Sequence, residues 1–206
     1  LTMELGANIT VLNDFYCANG TRLTNTTVIL GNLIVDSGCN LTVADGFTLR
    51  VNGATTINNG GILGANGSSY NLDLNGDLTI NSGGILNAPN ATGTFTWAGS
   101  TLVDSGTFTH NNGLMTWDRV IVESQSLSAS STQVPSFYDL TFAGNRYTNL
   151  YSSMTVEHTW TVSVTSYPNA QNKAFNLTIG TASASGTLTT NAAFAPTSKV
   201  VNPITI

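Results

Sequence analysis

The chain has 206 residues, a net charge of −5 and only 8% charged residues, against about 25% in an average globular chain. Six Lys plus Arg make no basic stripe, which argues against nucleic acid as a partner, and no run of eighteen apolar residues is present to span a membrane. Thr, Asn, Ser and Gly must coat the exterior, and the Lys gatekeepers that β proteins place on exposed strand edges are reduced to Lys173 and Lys199.

In chain order the first strand-like stretch is NITVL (residues 8–12), and from residue 29 to 120 an internal repeat takes over. Gly31, Gly53, Gly76 and Gly99 stand at steps of 22, 23 and 23 residues, and Gly38, Gly60, Gly83 and Gly106 keep the same steps. One copy, GNLIVDSGCNLTVADGFTLRVNG (residues 31–53), holds the runs NLIV, CNLTV and FTLRV, separated by DSG, ADG and NG. Period-two alternation bounded by Asp-X-Gly or Asn-Gly reads as strand, turn, strand, turn. Glycine supplies the positive φ such turns need, while Asn or Asp bonds the local backbone. Three strands per coil of 22–23 residues predict an all-β, triangular parallel β-solenoid whose coils pair about 4.8 Å apart. The length allows about nine coils.

Overlaid copies place Val35, Ile57, Ile80 and Val103 in one inward column, Leu49, Leu72 and Phe95 in a second, and Val51, Leu74 and Trp97 in a third. Asp36, Asn58, Asn81 and Asp104 line a corner; turn formation with side-chain ladders is the expected role, and a metal-binding corner is the other reading, with two carboxylates to offer. The only cysteines, Cys17 and Cys39, are 22 residues apart. That is one coil, which brings equivalent Cα atoms to roughly 5 Å, within disulfide reach. An intrachain staple in an oxidising, extracellular setting is the preferred reading; buried free thiols and links to another subunit stay open.

After residue 120 the pattern loosens. A regular solenoid over 1–123 is expected to meet a Ser-rich loop or boundary at 124–136, SQSLSASSTQVPS, and then less regular coils or a β appendage over 137–206. The chain finishes on KVVNPITI (residues 199–206), strand-like, with no helical cap at either end, and open coil edges are templates for further strands. The start at Leu1 without a signal peptide suggests a processed product or a segment of something longer.

Catalysis finds little support in the residues. Asp73 and Asp77 read as a turn pair, Asp118 and Arg119 beside Trp117 have no second basic neighbour, and His110 and His158 lack ligand spacing. No catalytic, cofactor-binding or metal residues are expected. Tyr147, Tyr151 and Trp160 are candidates for stacking on a glycan, with core or corner packing as the plainer reading. Seven sequons, at Asn8, Asn19, Asn25, Asn40, Asn66, Asn90 and Asn176, permit glycosylation. With 24 asparagines, chance alone supplies roughly six.

GDLTINSGGIL, SGTFTHNNG and FYDLTFAG…FNLTIG resemble the repeats of large secreted bacterial and archaeal surface proteins with parallel β-helix folds: adhesins, haemagglutinin-like passengers, and cell-envelope layers or sheaths. The likeness is strongest over residues 29–120 and implies a surface address. The combined expectation is a non-catalytic extracellular structural protein. Its partners would be copies of itself or adjoining repeats of a longer chain, joined by β-edge pairing into a fibre, layer or sheath. An adhesin module binding surface glycans is the alternative, and a polysaccharide lyase or tailspike-like enzyme a minor one.

Overall fold

The computed structural model describes residues 7–118, 125–129, 135–143, 147–150, 154–162, 167–169, 177–181, 184–185 and 187–190, with side chains over 7–118, 135–143 and 154–161. Five coils carry three strands each. The first holds β1 (Ile9–Val11), β2 (Phe15–Cys17) and β3 (Thr21–Leu23), and the second β4 (Thr27–Ile29), β5 (Leu33–Val35) and β6 (Asn40–Val43). The third holds β7 (Thr48–Val51), β8 (Thr55–Ile57) and β9 (Ile62–Leu63). The fourth holds β10 (Asn71–Leu74), β11 (Leu78–Ile80) and β12 (Ile85–Asn87), and the fifth β13 (Thr94–Trp97), β14 (Thr101–Asp104) and β15 (Thr107–Thr109). Then come β16 (Leu114–Trp117), β17 (Gln125–Ala129), β18 (Ser136–Phe142), β19 (Tyr147–Leu150), β20 (Met154–Val162), β21 (Tyr167–Asn169), β22 (Leu177–Thr181), β23 (Ala184–Ser185) and β24 (Thr187–Thr190).

The first sheet runs β1-β4-β7-β10-β13-β16-β18-β20-β22-β23, with β24 also on β20; the second runs β2-β5-β8-β11-β14-β17-β19-β21, and the third β3-β6-β9-β12-β15. Every ladder is parallel except β22 with β23. This is a parallel β-solenoid of about six turns rather than nine, because the third sheet stops at β15 and later coils are built differently. Gln125–Ala129, inside the stretch expected as a loop, is a strand that continues the second sheet over β14.

Two of the three inward columns appear in the register expected. Leu49, Leu72 and Phe95 pair in turn, as do Val51, Leu74 and Trp97, all buried. They extend upward through Met115, Leu140 and Trp160, and through Trp117 and Phe142. The remaining column needs correction at one position. Val35, Ile57 and Ile80 stack as expected, but Ile80 pairs with Asp104, and Val103 is only half-buried. The strand lies one residue further from Gly99 than its counterpart does from Gly76, and the next corner is correspondingly tight. The glycine spacing therefore stays at 23 while the strand slips by one residue, which exchanges its two faces.

Two kinds of glycine hold the corners. Gly38, Gly60 and Gly83 have φ of 81°, 78° and 81°, a left-handed conformation that side chains resist. Gly31, Gly53, Gly76 and Gly99 instead allow close approach: a Cβ at Gly76 or Gly99 would collide with the carbonyl oxygen of the glycine one coil below. Gly106 belongs to neither set. Thr107 donates to Gly84 O just as Ile85 donates to Gly61 O, so Gly106 continues the column of Gly61 and Gly84.

Candidate functional site

The corner columns are structural ladders. Asn58 Nδ2 donates to Asp36 Oδ1 at 2.5 Å and Asn81 Nδ2 to Asn58 Oδ1 at 2.8 Å. Ser105, not Asp104, follows them, since its N–H reaches Ile80 O as Asn81 N–H reaches Ile57 O. Elsewhere a carboxylate or amide oxygen caps the N–H of the coil above, as Asp14 does for Asn32 (2.7 Å) and Asp77 for Ser100 (2.8 Å) and Thr101 (2.9 Å). Asp73 lies on the outer face, 2.6 Å from the Arg50 guanidinium. Asp73 and Asp77 thus serve different partners. The Asp118 carboxyl is pushed above its usual range by burial and secondarily by the negative charge of Asp73; Arg119 lies outside the described residues.

Cys17 and Cys39 are joined, with Cα atoms 5.6 Å apart. Their positions are not equivalent, as the 22-residue spacing implied. The first coil is short, so Cys17 pairs with Val35, 18 residues on, and the bond reaches across the Asp36–Ser37–Gly38 corner to Cys39. Both residues point inward and are buried.

Trp160 is buried in the core column above Leu140, with its ring edge-on to Phe142 at 5.5 Å. It is therefore not a stacking platform: Leu140 and Phe142 face inward on β18, and register carries Trp160 into the same interior. The side chain of Tyr147 and all of Tyr151 lie outside the described residues, as does Asn176. Among the other sequon asparagines, Asn8, Asn19, Asn40 and Asn66 are exposed and Asn25 is half-buried. Asn90 is committed to its corner, where Nδ2 donates to Gly67 O at 2.7 Å and Oδ1 accepts from Thr92.

One cluster escaped the sequence reading. His110 follows β15 at a corner, and on the next two coils Tyr138 and His158 continue its column outside the core. Ring centroids are 5.8 Å apart for His110 and Tyr138 and 4.9 Å for Tyr138 and His158, the latter pair stacked. The register between β18 and β20 shifts here, so that Tyr138 opposes Glu157 and His158 together. A bulge of this kind re-aims side chains. His110 Nδ1 accepts the Asn112 N–H at 3.0 Å, which places its proton on Nε2, 3.2 Å from Glu157 Oε1. The same oxygen accepts the Ser136 hydroxyl at 2.6 Å. His158 Nδ1 lies 2.7 Å from Asp139 Oδ1, which also accepts the Thr159 N–H at 2.8 Å.

A carboxylate on Nδ1 leaves His158 Nε2 as an acceptor facing outward, an orientation suited to a general base. The hydroxyl in the cluster, Ser136, is spent on Glu157 rather than aimed at His158. No group of three or more His, Cys, Asp or Glu converges as a metal site among the described residues. The adjoining depression, lined in part by Phe95, Phe108, Phe137 and Tyr138, holds about 10 Å³, room for one water at most. The spacing that hid the cluster is irregular: 28 residues separate His110 from Tyr138 and 20 separate Tyr138 from His158. What the arrangement visibly does is tie three successive coils together where the third sheet has ended.

The fold defines the class, a parallel β-solenoid stapled by a disulfide. Comparison with protein-family models, with curated proteins and with solved structures found no match.

Proposed function

We propose that this chain is a non-catalytic structural protein of the cell surface, assembling by β-edge pairing with copies of itself or with adjoining repeats into a fibre, layer or sheath. The observation that carries this reading is the first coil. Among the described residues β1, β2 and β3 each pair on one side only. Leu12 and Tyr16 are 73% and 66% exposed, while Ile9, Val11 and Phe15 are only half-covered. An open edge with apolar side chains and no lysine is a template for another strand, and solenoid coils repeat about 4.8 Å apart. A disulfide fits an oxidising compartment, and the exposed sequons are compatible with it. The adhesin alternative rests on Tyr147 and Tyr151, since Trp160 is in the core.

The test is electron microscopy and fibre diffraction of the purified protein and of Thr10→Lys/Tyr16→Lys, which places charges on outward positions of β1 and β2. Ordered polymers with a meridional spacing of about 4.8 Å are expected from the parent, and folded monomers from the variant. A parent that stays monomeric at millimolar concentration would sink the proposal, as would a variant that polymerises equally well.

A further inference from the structure

We propose that Asp104 is an acid-set latch: protonated, it closes the corner between β14 and β15, and ionised, it loosens that corner and the last strand of the third sheet. The inference is independent of self-assembly.

Asp104 is 4% exposed and fills the inward position held by Val35, Ile57 and Ile80 in the coils below. Above it in register is Ala129 of β17. Its one hydrogen bond among the described residues is a long one, 3.3 Å from the Gly106 N–H to Oδ1. A carboxylate needs several donors to remain ionised in an apolar setting. The packed elements offer none with a charge. β11 carries Leu78, Thr79 and Ile80, β12 Ile85, Leu86 and Asn87, β15 Thr107, Phe108 and Thr109, and β17 uncharged residues throughout. The nearest titratable side chain along β15 is His110, beyond its far end and engaged with Glu157. Residues 130–134, which follow β17, are Ser, Ser, Thr, Gln and Val.

Burial accordingly raises the Asp104 carboxyl from 3.8 to about 6, with the Gly106 N–H pulling weakly the other way. A group that holds its proton more tightly folded than unfolded stabilises the fold in acid. That contribution is complete below about 4 and lost as pH rises through about 6. The consequence falls on β15, which pairs with β12 alone among the described residues; at neutral pH the ionised latch favours detachment of this strand and exposure of a third-sheet edge.

The test is amide hydrogen exchange over residues 101–109, corrected for the intrinsic pH dependence, in the parent and in Asp104→Asn, which keeps the shape and removes the titration. In the parent, opening of β14 and β15 should rise roughly tenfold or more between about pH 5 and pH 7.5. In Asp104→Asn it should be independent of pH and as low as the parent's in acid. A variant that keeps the parent's pH profile, or a parent without one, overturns the latch. Carboxyl NMR titration of the parent gives a second reading that needs no variant: a midpoint near 6 supports the proposal, and one near 4 overturns it.

Discussion

The coils up to β15 and those above it solve the same problem, covering a narrow interior, by different means. In the lower coils the chain turns three times per coil, and each turn is written in glycine and Asn or Asp: left-handed Gly38, Gly60 and Gly83 beside the Asp36, Asn58 and Asn81 ladder. The core there is mostly aliphatic, with Leu33, Leu41, Leu49, Ile57, Leu63, Leu72 and Leu74 fully buried. Above β15 one corner motif is missing. β18 and β20, of seven and nine residues, start above the third sheet, where Phe137 packs on Phe108 at 5.4 Å, and run on into the first. The wider interior is filled by aromatic rings: Trp97 on Trp117 at 4.4 Å, then Phe142 and Trp160 edge to face. Corner chemistry therefore decides how many sides a coil has, and core volume follows. Without the Asx-Gly turn the strand continues, and larger side chains occupy the added space.

The most severe test of this comparison is a charge in the lower core. Ile80→Asp would place a carboxylate between Ile57 and Asp104, in a column that tolerates one acid only at its upper end. It should cost about 4 kcal/mol or more, read from urea unfolding at neutral pH. A loss below about 1 kcal/mol would mean that the lower interior is not the dry aliphatic stack described.

The aromatic stack supplies the next largest effect. Trp117 lies between Trp97 and Phe142 and donates its indole N–H to Gly99 O at 3.2 Å. Trp117→Ala should cost about 3 to 5 kcal/mol, with exchange accelerating first in β16, β18 and β20. Uniform acceleration across the lower coils as well would show that the two regions unfold as one and that the distinction between them is only one of shape.

A smaller effect isolates the corner ladder. Asn81→Asp removes the donor to Asn58 Oδ1 and sets two acceptors face to face, at a cost of about 1 to 2 kcal/mol. The substitution would have looked harmless had Asp104 continued the ladder, but Ser105 does. A neutral outcome in thermal unfolding would return that position to a solvated turn.

How far the repeats were legible depended on the direction of the counting. Between Gly31 and Gly99 the spacing of corner residues equals the strand register, and the columns Leu49–Leu72–Phe95 and Val51–Leu74–Trp97 follow directly. At Asp104 the glycine count and the strand register part, because a strand displaced in one direction and a tightened corner cancel in the sum. Cys17 and Cys39 show the same limit. Their spacing suggested stacked equivalents, and the bond exists, but across a corner of a shorter first coil. Trp160 looked free for a ligand only while its neighbours one coil away were unknown.

The amino-acid sequence by itself determined the parallel solenoid, its three-sided lower coils and their inward columns, because those depend on local turn chemistry repeated at a near-constant step. Only the tertiary structure decided that Asp104 faces inward, that the third sheet ends at β15, and that His110, Tyr138 and His158 share one outer column. Each of those depends on how coils of unequal length stack. The number of residues in a corner sets which side chain of one coil meets which of the next, and a single residue more or less turns a strand's two faces over.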